Sequence, residues 1–399
     1  MDSGILDRYA DLIVSVGANV QPDQVFAIEA SPEAAPLVHR LARRAYEKGA
    51  RYVDVFYFDP HVKRIRAETS REESLTWVPP WFGKRMLDLG DLNAARVVLT
   101  PIAGPGGLEG IDPARAAKDR LPTVQELFKV IDEKSVAWSI SPYPTEQWAR
   151  TVYPDADDAV ERLWQDVIHV CRLDEPDPAA AWDARIEEIW QVASRIDALD
   201  LDSLHFGGPG TDLTVGLLPS SRFAKDGGAS HTRNGIRHVA NLPTEELFTT
   251  PDPERTEGVV AATKPLDIAG SLVTGIVVRF EGGRVASIEA DRNADALRAR
   301  VATDEGAARL GEVALVDRES RIGKTGKTFF NTLLDENAAS HIALGDAYSA
   351  PIADPADVPR INSSGVHIDF MIGSNDVDVT GTTKDGRKVP LLRGGSWQI

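Results

Sequence analysis

Two short segments near the end of the chain concentrate side chains that bind metal ions or move protons. The first, LLDENAASHIALGDAY, contains Glu336 and His341 and ends at Tyr348. The second, GVHIDFMIGS, places His367 two residues before Asp369. The chain of 399 residues has only 8 histidines, so two in such acidic surroundings raise the question of whether one or two metal ions bind here.

The second segment predicts a β-strand with one polar and one apolar face. Side chains alternate between the two faces of a strand, so His367 and Asp369 would project together from one of them. The opposite face would enter a core through Val366, Ile368, Phe370 and Ile372. A histidine and an aspartate at this spacing are more often a surface pair, but the apolar neighbours disfavour a wholly exposed strand.

The first segment predicts a short helix that carries His341. Asn337 is a good N-cap and Gly345 a good helix terminator, so Glu336 would precede the helix in a loop and Tyr348 would follow its end. On one continuous helix, Glu336 and His341 would lie about 140° apart and could not share a metal ion. The alternative is a capped amphipathic helix with polar decoration.

Two further acidic positions precede these segments. NLPTEELFTTPD contains the adjacent Glu245 and Glu246, and LGEVALV places Glu312 among apolar residues. Burying a carboxylate without a partner is costly, so a metal ion, a helix cap or an ion pair would have to satisfy it. The residues alone leave these alternatives open. HExxH, CxxC and GxSxG motifs are absent from the sequence.

Composition restricts the partners of the protein. The net charge of −17, from 44 basic and 61 acidic residues, argues against binding to nucleic acid or to an anionic membrane surface. We expect no signal peptide and no membrane span, because no apolar run approaches the ~20 residues needed. Cys171, the single cysteine, fits a reducing cytoplasm, and its surroundings WQDVIHVCRL predict a buried position on a helix.

The pattern of elements predicts two domains and a connection. In residues 1–150, the strand-like VFAIEA and YVDVFYFD flank the helical PLVHRLARRAYEKGA, which is a βαβ unit and favours a parallel sheet. Residues 151–200 predict a helical connection. In residues 201–399, short β-branched segments and turns such as FEGGRV predict antiparallel hairpins. The expected fold is an α/β N-terminal domain with a parallel sheet, followed by an α+β domain with a curved, mainly antiparallel sheet.

Four segments, in this order, resemble the thermophilic aminopeptidase T and aminopeptidase S family, peptidase family M29: NLPTEELFTTPD, LGEVALV, TLLDENAASHIALGDAY and VHIDFMIGS. The similarity continues in PYPTEQWARTVYPD, GPGTDLTVGL, TKPLDIAGSLV and DGRKVPLLRGGSW, so it covers nearly the whole chain. The resemblance implies a homodimeric metallo-aminopeptidase that removes the N-terminal residue from peptides with a free N-terminus.

The resemblance also implies a site with two divalent metal ions, whether zinc, cobalt, magnesium or manganese. The implied ligands are Glu246, Glu312, His341, Tyr348, His367 and Asp369. The choice of Glu246 over Glu245 rests on its spacing to the later ligands. Glu336 falls where the family has a further active-site carboxylate, either a ligand or the proton-transfer group, and Glu312 and Tyr348 would also take part in catalysis. Two metal ions could share a bridging hydroxide, with one of them polarising the scissile carbonyl.

Two other classes of function compete with the aminopeptidase. The same scaffold serves hydroxypyridine ring-cleaving dioxygenases with one iron, and His341, His367 and Asp369 alone would suit Fe(II). A single iron does not need Glu246 and Glu312 as well as Glu336, however, so the aminopeptidase is favoured. A non-catalytic protein that kept the fold is disfavoured by the complete set of implied ligands.

Overall fold

The structure, a computed structural model, describes most of the chain. The described residues are 2–102, 104–119, 121–223, 229–268 and 270–399. The chain divides into two compact units, the first made of residues 1–185 and 229–244 and the second of residues 186–228 and 245–399. Among the described residues, no helix is both long and apolar enough to cross a membrane.

The first unit is built on a four-stranded sheet. Its strands are β1 (Val25–Ala30), β2 (Tyr52–Tyr57), β3 (Ala95–Thr100) and β4 (Ala137–Pro142), in the spatial order β2-β1-β3-β4. All three pairings are parallel. Parallel neighbours require a crossover connection, and the helices between the strands supply it. The predicted parallel α/β domain is therefore confirmed.

Helices precede β1, occupy much of the chain between these strands, and follow β4. They are α1 (Ser3–Leu12), α2 (Ala35–Glu47), α3 (Pro60–Thr69), α4 (Glu72–Leu75), α5 (Pro80–Asp91), α6 (Pro113–Lys118), α7 (Gln125–Asp132), α8 (Glu146–Val152), α9 (Ala159–Val170) and α10 (Pro178–Asp197). A π-helical turn, Ile13–Gly17, continues α1. The helical stretch expected as a connection is divided, because α9 lies in the first unit and α10 crosses the boundary at residue 185.

Cys171 directly follows α9 and is fully buried. Its sulfur lies 3.7 Å from the hydroxyl of Tyr9 and 3.8 Å from the carbonyl oxygen of Leu242. Burial raises the pKa of the Cys171 thiol to about 12, so the nucleophilic thiolate is scarcely populated at neutral pH. The predicted packing role of this cysteine is confirmed.

The strands of the remaining chain range from two to eleven residues in length. They are β5 (Leu201–Gly208), β6 (Thr211–Leu217), β7 (Ala229–His231), β8 (Arg237–Val239), β9 (Glu246–Thr249), β10 (Pro251–Ala261), β11 (Leu266–Ile268), β12 (Ser271–Val273), β13 (Val277–Glu281), β14 (Arg284–Glu289), β15 (Leu310–Val316), β16 (His341–Gly345), β17 (His367–Met371), β18 (Asp378–Thr383), β19 (Lys388–Arg393) and β20 (Ser396–Trp397). The helices here are α11 (Ala294–Val301), α12 (Arg321–Lys324) and α13 (Thr332–Glu336).

These strands form two larger sheets in the second unit. One has the order β14-β13-β10-β6-β5-β18-β19-β20, and the other has the order β17-β16-β15-β9. The strands within both sheets pair antiparallel. The hairpin of β7 and β8 belongs to the segment that joins the first unit. The antiparallel sheets and few helices confirm the predicted α+β class.

The sheet of β9, β15, β16 and β17 buries one of its faces in the main core of the second unit. The side chains on that face are apolar and nearly inaccessible: Leu247, Val313, Leu315, Ile342, Leu344, Ile368 and Phe370. Their alternation with the intervening residues leaves the opposite face to the polar side chains of the same strands. The core thus determines which face can carry chemistry.

One local prediction is wrong, because His341 lies at the start of a strand and not on a helix. The helix of this segment, α13, comes earlier and ends at Glu336, and Asn337 is its C-cap instead of an N-cap. Gly345 ends β16 with a φ of +106°, and a Cβ there would lie 2.0 Å from the carbonyl oxygen of Val366. Pairing on both sides with β15 and β17 outweighs the local helix propensity of the segment.

Candidate metal centre

The polar face of the sheet of β9, β15, β16 and β17 brings together possible metal donors that are far apart in sequence. Glu312 on β15 pairs with Ala343 on β16, and Ala343 pairs with Asp369 on β17. His341 and His367 each stand two residues before a member of this row and therefore share its face. The methyl group of Ala343 is small, so the two carboxylates flank a gap and not a bulky side chain.

A break in the sheet sets the direction of Glu312. The pairing of β15 with β16 shifts register between Leu310 and Glu312, which is the signature of a β-bulge. At the intervening Gly311, a Cβ would lie 2.2 Å from the carbonyl oxygen of Asp346. Glycine at this position therefore lets the backbone of the Asp346 loop approach the strand that carries Glu312.

The first group of donors is Glu246, Glu312 and His341, and all three are buried. The Nε2 atom of His341 lies 3.1 Å from Oε2 of Glu246 and 3.3 Å from Oε1 of Glu312. The ligand atoms of the three side chains lie within 4.8 Å of one another. Such a spacing allows all three to contact one metal ion.

The second group of donors is Glu312, His367 and Asp369. The Nε2 atom of His367 lies 3.2 Å from Oδ1 of Asp369 and 3.7 Å from Oε2 of Glu312. Glu312 therefore directs Oε1 toward the first group and Oε2 toward the second. This is the arrangement expected of a carboxylate that bridges two metal ions.

Backbone carbonyls hold both imidazole rings in place. Nδ1 of His341 donates to the carbonyl oxygen of Ala339 at 3.2 Å, and Nδ1 of His367 donates to that of Asp346 at 2.7 Å. Each bond leaves Nε2 as the atom that faces the carboxylates. Histidines that bind metal ions almost always donate their other ring nitrogen to an outer partner in this way.

The ionisation of the cluster indicates a deficit of positive charge. Burial raises the pKa of Glu312, and nearby Asp369 and Glu246 raise it further, while His341 and His367 oppose the rise. Burial alone would lower the pKa of both histidines, but the carboxylates reverse this, bringing the pKa of His367 to about 10 and that of His341 well above its usual range. Binding of a metal ion to donors with such raised pKa values would displace protons from them.

Glu336 and Tyr348 complete the candidate site. Burial, and then the charges of Asp369 and Glu246, raise the pKa of Glu336 well above its usual range. Burial and the charge of Glu312 likewise raise the pKa of Tyr348, whose ring centroid lies 5.3 Å from that of His367. The structure thus brings both residues to the same cluster. The mixed carboxylate and imidazole donors of the two groups fit divalent metal ions.

Glu245 is placed differently from Glu246. It precedes β9, and its backbone N–H donates to Oδ1 of Asn337 at 2.6 Å. The carboxylate within reach of His341 is that of Glu246. The geometry therefore favours Glu246 as the donor, in agreement with the choice made from spacing.

Sequence reasoning missed the residues that support the donors. The carbonyls of Ala339 and Asp346 leave no sequence signal, because any residue supplies a carbonyl. Ala343 gives a weak signal, since a small residue interrupts the apolar run of β16 on the face of His341. The sequence also gives no sign that Asp335 is as deeply buried as the donors themselves.

Comparisons with known proteins show the family of the chain. The sequence model of the Peptidase M29 family, described as thermophilic metalloprotease, matches residues 3–397. The chain is 40% identical to aminopeptidase T of Thermus thermophilus over 99% of this chain and 98% of that protein. It is 36% identical to aminopeptidase 2 of Geobacillus stearothermophilus, over 98% and 97% of the two chains. It is 34% identical to aminopeptidase AmpS of Bacillus subtilis, over 98% of each.

The fold of the chain is also similar to that of a solved structure. The solved structure of wild-type AmpT from Thermus thermophilus superposes with a TM-score of 0.89 at 39% identity and covers 99% of both chains. The resemblance recognised in the four sequence segments is therefore confirmed over the whole length. This chain belongs to the M29 family of thermophilic metalloproteases.

Proposed function

We propose that this protein is a metal-dependent aminopeptidase with a dinuclear centre, which hydrolyses the N-terminal residue from peptides. The observation that carries the proposal is Glu312, which directs one carboxylate oxygen to each of two donor groups. Relatives that align over almost the whole chain are named aminopeptidases. The proposed ligands are Glu246, Glu312, His341, Tyr348, His367 and Asp369.

The bound cations would supply a nucleophile from water at neutral pH and polarise the scissile carbonyl. The residues of the chain then perform two tasks. The donors fix the positions of the cations, and Glu312 offsets part of the repulsion between two divalent charges. Glu336 accepts a proton from the attacking water and passes it to the leaving amine, a task that suits a carboxylate with a raised pKa. The products are a free amino acid and a peptide shorter by one residue.

The charge of the donor set supports two cations over one. Glu246, Glu312 and Asp369 supply three negative charges, and Glu336 supplies a fourth when it is ionised. Two divalent ions balance about that much charge, whereas one Fe(II) leaves an excess in a buried site, where unbalanced charge is costly. None of the relatives named above is a dioxygenase, so the mononuclear iron alternative gains no support.

The identity of the metal, the assembly and the location are also proposals. Donors of this mixed kind accept zinc, cobalt, manganese or magnesium, and geometry with availability selects among them. We propose a homodimer that acts in the cytoplasm, where its single, buried Cys171 suits a reducing environment. The substrates would be peptides with a free N-terminus.

Metal analysis combined with one assay tests the proposed function. Protein purified without chelator should contain two divalent cations per chain and release the chromophore from an aminoacyl chromogenic substrate. Chelation should abolish the release, and added zinc, cobalt, manganese or magnesium should restore it. One iron per chain with no second metal after reloading, or full metal occupancy without hydrolysis, would contradict the proposal.

A further inference from the structure

We propose that Asn337 is a positioning residue, which holds Glu336 at a fixed distance from Glu246. This inference rests on the proposed function only in the role it gives to Glu336. Asn337 immediately follows Glu336 at the end of α13, and it touches neither of the two donor groups through any described hydrogen bond. Its contribution would be made through Glu336.

The contacts of Asn337 join two distant parts of the chain. The side chain is completely buried, at 0% exposure. Its Nδ2 donates to the carbonyl oxygen of Leu333 at 2.9 Å and so closes the last turn of α13. Its Oδ1 accepts the backbone N–H of Glu245 at 2.6 Å. One amide thus links the residue after Glu336 to the residue before Glu246.

The residue on the other side of Glu336 is anchored as firmly. Asp335 is 1% exposed, and its Oδ1 accepts from Nζ of Lys264 at 2.9 Å and from the backbone N–H of Phe329 at 2.9 Å. Its Oδ2 accepts the backbone N–H of Asn331 at 3.2 Å. Glu336 therefore stands between two buried side chains that are each held by hydrogen bonds.

Such anchoring is needed because α13 cannot hold itself. It has five residues, and a helix of that length is unstable in water without tertiary contacts. Glu336 at its end also faces the like charges of Asp369 and Glu246. Without a tie to the start of β9, the end of so short a helix would be free to shift. The bond from Asn337 to Glu245 opposes that movement.

A double-mutant cycle tests whether Asn337 acts through Glu336. The variants are Asn337→Ala, Glu336→Gln and both together, and the quantities are kcat, KM and cation affinity measured by competition with a chromogenic chelator. Outer-sphere supports typically contribute ~10–100-fold to metal affinity or activity, and we expect Asn337→Ala to cost about that much. The cycle is read in whichever quantity Glu336→Gln changes. The double variant should then be no worse than Glu336→Gln, since independent effects would multiply.

Controls separate positioning from mere stability. Asn337→Ser keeps an uncharged side-chain oxygen that can accept the N–H of Glu245 and should recover part of the loss, and it serves as the readable variant if Asn337→Ala does not fold. Asn293→Gly removes a bond from Nδ2 to the carbonyl of Leu272 at a residue of positive φ, away from the donors, and should leave kcat and cation affinity unchanged.

Three results would overturn the proposal. These are losses that multiply in the double variant, a lowered melting temperature as the only effect of Asn337→Ala, and no effect of Glu336→Gln on any of the measured quantities. The cation affinities are readable without peptide hydrolysis. If the wild-type protein binds two cations but cleaves no peptide, the proposed function fails while the cycle still decides the role of Asn337.

Discussion

The two units each bury a glutamate on a sheet, and the two carboxylates respond in opposite ways. In the first unit, Glu29 is 6% exposed and accepts from Arg96 through both oxygens, at 2.6 and 3.2 Å, and from Arg85 at 2.8 Å. Burial raises the pKa of Glu29, but the two arginines lower it more, so the net shift is downward. In the second unit, Glu312 is 5% exposed and its pKa is raised.

Burial is the same in the two places, so the partners make the difference. Arginine is charged at every relevant pH and forms paired bonds with a carboxylate, which leaves the Glu29 cluster complete within the protein. Glu312 faces titratable histidines and other carboxylates instead. A buried carboxylate whose recorded partners are titratable is neutralised by protons or by cations from solution, and this distinguishes Glu312 from the carboxylate of a structural ion pair.

The largest effect is expected for Glu312→Gln. The amide has no negative charge and cannot serve two cations, so both should bind more weakly and activity should fall by more than the ~10–100-fold typical of outer-sphere changes. Metal content and turnover of the purified variant measure this. Glu257→Gln, at an exposed position of the same unit, is the matched control and should behave as wild type. Full metal occupancy in Glu312→Gln would remove the proposed contrast between the two glutamates.

The next largest effect is expected for Glu336→Gln. If Glu336 moves the proton, turnover should fall by ~10²–10⁴-fold while both cations stay bound, because general acid–base catalysis contributes about that much. If Glu336 is a ligand, metal occupancy should fall and excess metal should restore some activity. Near-normal turnover at full metal occupancy would show that it has neither role.

Arg96→Met should affect stability alone. Removing one partner of a buried ion pair typically costs about 3–5 kcal/mol, because the remaining charge stays buried, although Arg85 would still contact Glu29 here. Urea unfolding measures the loss, and metal affinity should not change. Arg51→Met is the control, since Arg51 pairs with Asp23 on the surface and such pairs contribute about 0–1 kcal/mol. Equal losses in both variants would argue against a special role for the buried pair.

The smallest expected effect is the contribution of Glu29 to the pH dependence of folding stability. Its pKa is lower in the folded than in the unfolded chain, so the unfolded state binds more protons at acidic pH. The stabilisation is present above the unfolded pKa of about 4.3 and is lost as pH falls through the folded value, by at most ~1.4 kcal/mol per pH unit. Unfolding between pH 6 and 3 should therefore show a shallower slope in Glu29→Gln than in wild type. An unchanged slope would mean that other carboxylates account for the acid sensitivity.

The sequence predicted those parts of the molecule that local patterns determine. Apolar runs located the strands of the parallel sheet, and the alternation in GVHIDFMIGS placed His367 and Asp369 on one face opposite Ile368 and Phe370, as the structure has them. These predictions succeeded because burial on one face of a strand leaves a period of two in the chain.

The error at His341 shows where local patterns fail. DENAASHIALG contains good helix formers and plausible caps, and Ile342 is its only β-branched residue, the type that favours strands. The helix α13 has Asn331 as its N-cap and Asn337 as its C-cap, so it ends before the histidine. The strand forms because β15 and β17 lie on either side of it, and pairing between residues so distant in sequence cannot be read from one segment. The carbonyl supports of the histidines escape detection for the same reason.

Because residues 229–244 belong to the first unit, the second unit cannot be expressed simply as one continuous C-terminal fragment. The second unit is made of residues 186–228 and 245–399, so the segment interrupts it and the unit resumes one residue before Glu246. A fragment that starts at residue 201 would carry the segment without its own unit and expose Val239 and Leu242, which are fully buried in the intact chain. We therefore expect such a fragment to aggregate unless a short turn replaces the segment, which soluble expression of the two versions would reveal.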